Sequence, residues 1–249
     1  MLRGARSAAT VGIYYPIETF QAEFLPSPGT WKREVWPEAW RRMEQRIRDQ
    51  DEVARSLFLH GIDFTWLHGD WIEKAKVEKG WLVAANGRYR TLVMPEVELL
   101  PLTVAQKIEE FEKGGGRVIW VKSLPQMGDT LEEHEKVKSI FAKKKILSPG
   151  RVAEAIGQEL PPGFTLQAGP DVLVARFNRD GRRITYLVNY RAGKEEAALT
   201  LSSGSQRSFD IYNPMDGNIT SQKLPGKVTL EGDASLFLVE PNRFTAEKR

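Results

Sequence analysis

The sequence contains no cysteine among its 249 residues. This absence excludes disulfide bonds, thiolate metal sites and a cysteine nucleophile. The chain also has no run of about 18 apolar residues, the length that a membrane-spanning helix needs. Residues 1–10 lack the apolar stretch of a secretory signal peptide. We therefore expect a cytoplasmic protein that does not associate with membranes.

An excess of charge of one sign is also missing. The chain has 36 basic and 33 acidic side chains, which give a net charge of +3. Proteins that bind nucleic acid usually concentrate basic residues in a stripe, and the longest basic run here is the short segment Lys143–Lys145. We therefore expect no nucleic-acid partner.

The usual motifs of cofactor and metal sites are absent as well. His68 and Asp70 could supply two metal ligands, but no third ligand follows at a suitable spacing. The glycine run Gly114–Gly116 precedes a predicted strand, whereas a phosphate-binding loop follows a strand and precedes a helix. The nucleophile motif G-x-S-x-G does not occur. We therefore predict no metal and no cofactor.

Strand and helix signals alternate in the first part of the chain. Four apolar runs predict strands, and a loop over 18–35 is predicted after the first of them. Thr103 is the predicted cap of a helix that ends at Gly114–Gly116. Asn86-Gly87 marks a possible hairpin. The predicted strands are 10–15, 62–67, 89–94 and 117–121, and the helices lie at 37–60, 71–75, 103–113 and 131–141.

The helix at 37–60 has the clearest periodicity. Pro37 suits its first position. Apolar side chains then recur about every 3.6 residues, which predicts one buried face, with Arg, Glu and Asp on the other. The predicted buried residues are Trp40, Met43, Ile47, Ala54 and Leu57.

The pattern changes after about residue 160. Pro161, Pro162 and Gly163 mark a boundary, and only short strands separated by turn residues follow. The fold class is therefore α/β, with a doubly wound parallel sheet over residues 1–160 and a small antiparallel β-sandwich over 161–249. The predicted sandwich strands are 172–177, 184–190, 197–201, 209–212, 228–230 and 235–239.

Ligands of doubly wound sheets bind beyond the carboxyl ends of the strands. The residues at those ends include four carboxylates, and carboxylate pairs carry out glycoside hydrolysis. The aromatic residues there suit the apolar faces of sugar rings, although helix capping or an interface would explain the same residues. The candidate catalytic residues are Glu18, Glu96, Asp70 and Glu98, and the candidate substrate-binding residues are Tyr15, Trp66, His68, Trp120 and Lys122.

Seven tryptophans are many for this length. Trp31, Trp36, Trp71 and Trp81 fall in predicted loops or at helix ends, where a monomer would expose some of them. Exposed aromatic patches often mark interfaces, which predicts a homo-oligomer. Filling a seam between the two domains is the alternative.

Four segments resemble, in order, the part that follows the barrel in large rhamnosidase-like glycoside hydrolases. They are VGIYYPIETFQAEFLPSPGTW, LFLHGIDFTWLHGDWIEKA, YRTLVMPEVELLPLTVAQKIEEFEKGGGRVIWV and the set LVNY, YNPMDGNIT and LFLVE. The first 145 residues also resemble the amidotransferase-like trimerisation domain of family 42 β-galactosidases. In those families the catalytic glutamates lie in the preceding barrel, so the resemblance supplies no active site here. It implies a flavodoxin- or glutamine-amidotransferase-like fold for the first domain, a carbohydrate context, oligomerisation and a terminal β-sandwich.

Three functions are compatible with these features. The first is an accessory module, related to glycosidases, that oligomerises or binds sugar without chemistry of its own. The second is a compact glycosidase acting on β-galactosides, β-glucosides or rhamnosides through the carboxylates at the sheet edge. The third is a fragment of a longer, barrel-containing enzyme.

Overall fold

The computed structural model describes residues 2–23, 37–157, 164–167, 172–190, 197–203, 208–223 and 226–240. Trp31, Trp36, residues 24–35 of the predicted loop and the predicted boundary at 161–163 lie outside these ranges. The elements are β1 (Arg6–Ser7), β2 (Val11–Tyr14), α1 (Ile17–Glu23), α2 (Pro37–Leu59), β3 (Phe64–Leu67), α3 (Gly69–Glu73), β4 (Lys76–Glu78), β5 (Trp81–Ala84), β6 (Gly87–Tyr89), β7 (Thr91–Pro95), α4 (Leu102–Lys113), β8 (Arg117–Val121), α5 (Leu131–Phe141), β9 (Ile146–Leu147), a 3₁₀ turn (Pro149–Arg151), α6 (Val152–Gly157), β10 (Phe164–Gln167), β11 (Val172–Arg179), β12 (Arg182–Asn189), β13 (Ala197–Ser203), β14 (Ser208–Tyr212), β15 (Ile219–Lys223), β16 (Gly226–Leu230) and β17 (Ser235–Val239).

The chain divides into two compact units. The α/β unit comprises Thr10–Ser56 and Phe64–Ile156. The β-rich unit comprises Gly157–Arg249 together with two earlier segments, Met1–Ala9 and Leu57–Asp63.

The centre of the α/β unit is a parallel sheet with the order β3-β2-β7-β8-β9. Numbered along the chain, these five strands stand in the order 2-1-3-4-5. Strand order reverses between β2 and β7, so a crevice is expected beyond the carboxyl ends of these two strands. The predicted α/β class with a parallel sheet is confirmed.

One face of this sheet is buried by α4 and α5. Alternate residues along the strands point to this face, where they form a single core with the apolar stripes of the two helices. The runs of branched and aromatic residues in the strands suit a sheet that is buried in this way. The core residues include Tyr14, Leu92, Met94 and Trp120 from the strands, and Val104, Ile108, Phe111, Val137 and Phe141 from the helices.

Two predictions about helix starts were wrong. The segment predicted as a loop from Glu18 begins with helix α1, so Glu18 lies in the first turn of a helix. Thr103 lies inside α4, whose N-cap is Pro101. The sequence pattern was misleading in the second case because a threonine before an apolar run is typical of an N-cap.

Helix α2 matches the predicted span, but its buried face differs from the predicted one. Leu57 is buried as predicted, but Ile47 is 45% exposed, and Arg46, Asp49, Gln50 and Val53 are buried instead. The helix is therefore turned by about one residue, roughly 100°, from the expected orientation. The buried stripe does have a helical period. Its first half, however, carries charged residues, which pair with polar groups at the carboxyl ends of the strands.

A second, antiparallel sheet of the α/β unit contains β4, β5 and β6. The predicted Asn86-Gly87 hairpin joins β5 to β6. The strand predicted at 89–94 is divided, because Tyr89 ends β6 and Thr91 begins β7 of the parallel sheet. Leu82 and Tyr89 point into the core described above, so the opposite face of this sheet is the outer one.

The β-rich unit contains two antiparallel sheets. One has the order β1-β11-β12-β17-β14-β15 and the other β10-β13-β16. Residues of both sheets share one hydrophobic core, as Leu187 and Leu238 of the larger sheet pack with Val228 and Leu230 of the smaller. The separate antiparallel layout predicted for the second half of the chain is therefore confirmed.

The larger sheet also incorporates the start of the chain. β1 pairs with β11, and the buried Asn189 of β12 donates to the carbonyl oxygen of Leu230 at 3.1 Å. Asp63 accepts two hydrogen bonds from Arg176 of β11, at 2.7 and 2.9 Å. Within the described ranges, no helix is both long and apolar enough to cross a membrane.

Candidate functional site

The carboxyl ends of β7 and β8 meet the charged half of α2. Arg46 is only 2% exposed, and its guanidinium pairs with two carboxylates, Glu98 at 2.8 Å and Glu96 at 3.6 Å. Its Nη1 also donates to the carbonyl oxygen of Glu96 at 3.1 Å. One buried cation therefore binds two of the four candidate catalytic residues.

A second ion pair lies one helical turn further along α2. Lys122 donates from Nζ to Oδ2 of the buried Asp49 at 2.5 Å, and Gln45 donates to the other oxygen at 2.9 Å. We call Arg46, Asp49, Glu96, Glu98 and Lys122 the charged cluster. Sequence reasoning found its three strand-end members and missed Arg46 and Asp49.

The backbone of this cluster is unusual. Glu96 has φ +26° and Lys122 has φ +64°, values that residues with a Cβ rarely adopt. Glu96 is the first residue after β7, and Lys122 is the first residue after the adjacent parallel strand β8. By contrast, Lys79 and Asp180, which also have positive φ, each precede a glycine in a turn. Strain of this kind is often found at functional sites, where the surrounding contacts hold it in place.

The pKa values of two acids in the charged cluster, Glu96 and Asp49, are shifted in opposite directions. Burial raises the pKa of Glu96, and the facing Asp49 carboxyl raises it further against the opposing effect of Arg46. Burial alone would raise the pKa of Asp49, but the hydrogen bond from Lys122 and contacts with Glu96 and Gln45 outweigh it and lower this pKa. Glu96 therefore retains its proton to a higher pH than an ordinary glutamate, beside an ionised Asp49.

Glu18 belongs to a different group of side chains. The buried Tyr14 donates from Oη to Oε2 of Glu18 at 2.6 Å. Burial, and then the Glu18 charge, raise the pKa of the Tyr14 hydroxyl. Burial also raises the pKa of Asp129, with contributions from Glu133 and Glu18.

Helix α1 holds Glu18 at the point where strand order reverses. The next residue, Thr19, is buried and accepts hydrogen bonds from the amides of Glu98 and Leu99 at 3.2 and 3.1 Å. Its hydroxyl donates to the carbonyl oxygen of Leu99 at 3.2 Å. This contact ties α1 to the connection that follows β7.

The remaining candidates lie along β3 and beyond it. Asp70 is exposed and pairs with Lys74 at 3.7 Å and His68 at 3.9 Å. Within the described ranges, no three potential metal ligands cluster. The four candidate carboxylates therefore fall into three places in the structure. Glu96 and Glu98 contact Arg46, Glu18 contacts Tyr14, and Asp70 contacts Lys74.

The candidate aromatic residues have different environments. Trp120 is only 2% exposed and packs on Phe141 with ring centroids 4.5 Å apart, so it belongs to the core and a ligand would not reach it. Tyr15 and Trp66 are 41% and 39% exposed, and their rings meet edge to face at 6.2 Å. We call Tyr15, Phe20, Phe64 and Trp66, which are in ring contact, the aromatic edge.

The raised pKa values of Glu96 and Asp129 predict a pH-dependent stability. Each contribution is fully present below the unfolded pKa, near 4.5 or 3.8, and is lost as pH rises through the raised folded pKa. Asp49 acts oppositely, but its contribution changes only below about pH 3.8. Above about pH 4.5, the contribution of these two carboxyl groups to the free energy of unfolding should therefore fall as pH rises.

We expect Glu96→Gln to flatten this dependence, because the amide mimics the protonated acid at every pH. Urea unfolding at several pH values in this range measures the slope. Glu135→Gln, at an exposed carboxylate of α5, is the matched control and should leave the slope as in the wild type. Equal slopes for wild type and Glu96→Gln would contradict the assigned protonation.

No family model matches the chain, and no curated protein matches it. Solved structures do. A β-galactosidase from Bacillus circulans sp. alkalophilus matches 95% of this chain at TM-score 0.59 and 14% identity, over 42% of its own length. A rhamnosidase from Novosphingobium sp. PP1Y matches 75% of this chain at TM-score 0.53 and 16% identity, over 20% of its own length.

A third match is the α-L-fucosidase isoenzyme 2 of Paenibacillus thiaminolyticus, with TM-score 0.50 and 10% identity over 96% of this chain and 49% of the fucosidase. The chain thus spans less than half the length of each of these three proteins. At such identities the likeness shows a shared fold. The resemblance to parts of rhamnosidase-like and β-galactosidase-like glycoside hydrolases is confirmed at that level.

Proposed function

We propose that this chain is a carbohydrate-binding accessory module related to glycoside hydrolases, and that it binds sugar at the aromatic edge without performing hydrolysis. The observation that carries the proposal is the pair of exposed rings, Tyr15 and Trp66, at the carboxyl ends of β2 and β3. Sugar-cleaving enzymes with the same fold over part of their length support the carbohydrate class.

The geometry of the aromatic edge suits a sugar ring. Tyr15 and Trp66 meet edge to face, so the exposed surface of each offers an apolar patch beside a polar group, the phenolic hydroxyl or the indole N–H. Phe20 and Phe64 pack against this pair and restrict its movement. The half-buried His68 and the exposed Asp70 follow Trp66 in the chain and supply polar groups for sugar hydroxyls.

The candidate carboxylates favour binding over catalysis. A glycosidase needs two carboxyl groups facing each other across the scissile bond. Here Glu96 and Glu98 both contact Arg46, and Glu18 accepts a hydrogen bond from Tyr14, so each is engaged within the fold.

We expect Trp66→Ala to weaken binding of a neutral oligosaccharide about tenfold, because a stacked indole contributes roughly 1–2 kcal/mol through buried apolar area. Isothermal titration against oligosaccharides that contain galactose, glucose or rhamnose measures this. Trp71→Ala is the matched control, since Trp71 is 44% exposed on α3. Absence of binding by the wild type to the whole panel, or equal losses in the two variants, would refute the aromatic edge as a sugar site.

Two finer expectations belong to the same proposal. The strand order 2-1-3-4-5 supports a flavodoxin-like fold of the amidotransferase type for the α/β unit. A homo-oligomer is proposed from the exposed tryptophans: of the four that the sequence singled out, Trp71 is 44% exposed, Trp81 is half-buried, and Trp31 and Trp36 lie outside the described residues. Light scattering at high protein concentration tests this, and a strictly monomeric mass would contradict it.

The alternative is a stand-alone glycosidase. The observation that favours it is the raised pKa of Glu96 beside the lowered pKa of Asp49, since paired acids with separated pKa values mark acid and base roles. Under our proposal, the purified protein releases no nitrophenol from β-galactosides, β-glucosides or rhamnosides. Release that Glu96→Gln or Glu18→Gln abolishes would establish the alternative.

A further inference from the structure

The outer face of the sheet β4-β5-β6 is strongly basic. Between residues 76 and 90 the chain carries four basic side chains and one acidic one, whereas the whole chain is nearly balanced. Lys76, Val83 and Arg88 are paired across the three strands and therefore share a face. Arg90, two residues beyond Arg88, extends the same face. Leu82 and Tyr89 point to the core on the opposite side.

Two of these cations are organised around one ring. The guanidinium carbon of Arg88 lies 5.1 Å from the centroid of Trp81, and that of Arg90 lies 6.0 Å away. Trp81 itself is half-buried on the central strand. Cation–π contacts of this kind hold the planar guanidinium groups in place while their N–H groups stay directed to solvent.

The cations of this face are not neutralised within the fold. Arg90 donates from Nη1 to the carbonyl oxygen of Lys79 at 2.9 Å, which fixes one end of its fork. In the part of the chain that the structure describes, no carboxylate lies within ion-pair distance of Lys76, Lys79, Arg88 or Arg90. This contrasts with Arg46 and Lys122, whose charges are paired.

We propose that this face, which we call the Arg–Trp–Arg face, binds the sulfate or carboxylate groups of an acidic polysaccharide. Planar guanidinium groups match such oxyanions with two parallel hydrogen bonds, and prior orientation by Trp81 reduces the entropy lost on binding. The carbohydrate class rests on the proposed function, but the site shares no residue with the aromatic edge. Nucleic acid is disfavoured because four cations on one small sheet do not form an extended basic stripe.

The experiment compares four ligands of similar length: dextran sulfate, carboxymethyl dextran, neutral dextran and single-stranded DNA. Isothermal titration with the full chain should show both acidic dextrans binding more tightly than neutral dextran, with affinity falling as salt is raised. Tighter binding of the sulfated form identifies sulfate as the preferred group, and tighter binding of the carboxymethyl form identifies carboxylate. Equal binding of acidic and neutral dextran, or tighter binding of DNA, would overturn the proposal.

Variants separate this site from general electrostatics. Arg88→Gln with Arg90→Gln should weaken binding of the preferred acidic dextran at least about tenfold, because two charge-assisted contacts are lost. Lys136→Gln with Lys138→Gln removes the same charge from exposed positions of α5 and should change the affinity less than about twofold. Equal losses in both double variants would sink the site.

The Trp66→Ala variant separates this proposal from the proposed function. It should retain full affinity for the acidic dextran while losing neutral oligosaccharide. Loss of both ligands in Trp66→Ala would contradict two independent sites. Arg88→Lys with Arg90→Lys keeps the charge but loses the planar guanidinium groups, so the affinity for the acidic dextran should fall several-fold. Unchanged affinity would show that charge alone explains binding and would refute the role of Trp81.

Discussion

Replacing Arg46 by methionine should lower the free energy of unfolding by about 3 kcal/mol, since removing one member of a buried ion pair leaves its partners uncompensated. Arg46 is buried and, at the end of β7, contacts the carboxylates of Glu96 and Glu98 and the carbonyl oxygen of Glu96. Methionine keeps an unbranched apolar side chain at this position but is uncharged and donates no hydrogen bond. Glu96 and Glu98 would then lose the cation that they share, and Lys122, which is paired with Asp49, would be the remaining positive charge of the charged cluster.

Urea unfolding followed by circular dichroism measures this loss. Arg48→Met is the matched control, because Arg48 lies on the same helix with an exposed side chain, which makes an exposed hydrogen bond to Gln45 at 3.1 Å and a distant pair to Glu44 at 3.9 Å. Its expected cost is below about 0.5 kcal/mol. Combining Arg46→Met with Glu96→Gln should recover part of the loss, since the uncompensated charge is removed. Equal destabilisation by the two arginine substitutions would show that the charged cluster does not hold α2 to the sheet.

The second large effect is expected from Gly116→Ala. A methyl group at this position would collide with three carbons of the Phe111 ring. Phe111 is fully buried in the core between the sheet and α4, so its ring has no free space into which it could move. We expect a cost of about 3 kcal/mol, at the upper end for overpacked cores.

Two other glycines provide controls for this effect. At Gly115 a methyl group would meet nothing within 4 Å, but φ is +88°, so Gly115→Ala should cost about 1 kcal/mol from backbone strain alone. At Gly157 space is open and φ is not positive, so Gly157→Ala should be nearly neutral. Adding Phe111→Leu to Gly116→Ala should restore part of the stability. A cost at Gly116 no larger than at Gly115 would contradict the steric explanation.

The sequence predicted an element of the α/β unit well where an apolar pattern was bounded by turn residues at both ends. The strand at Arg117–Val121 and the helix at Leu131–Phe141 appear as predicted, because an apolar run and an amphipathic period each mark one element. The two-residue strand β9 was missed, since two residues are too few to show any period. The segment Met1–Ala9 could not be assigned to the β-rich unit from sequence, because its pairing partner lies far along the chain.

The candidate site was predictable from topology but not from residue type. Placing residues at the carboxyl ends of parallel strands brought Glu96, Glu98 and Lys122 into one region, which the structure bears out through their contacts with α2. Arg46 and Asp49 were assigned to the solvent face because they are charged. The available signal was their spacing: Arg46, Asp49, Val53 and Leu57 follow one helical stripe.

The pairing of β1 with β11 affects how the chain can fold during translation. Arg6 is opposite Asn178, so β1 has no partner until the ribosome has added about 170 further residues. At about 5–20 residues per second, this delay is roughly ten to thirty seconds. The α/β unit, whose strands all lie between Val11 and Leu147, can form within that time. The β-rich unit must wait, and its unpaired first strand is then a free edge that holdase chaperones could protect.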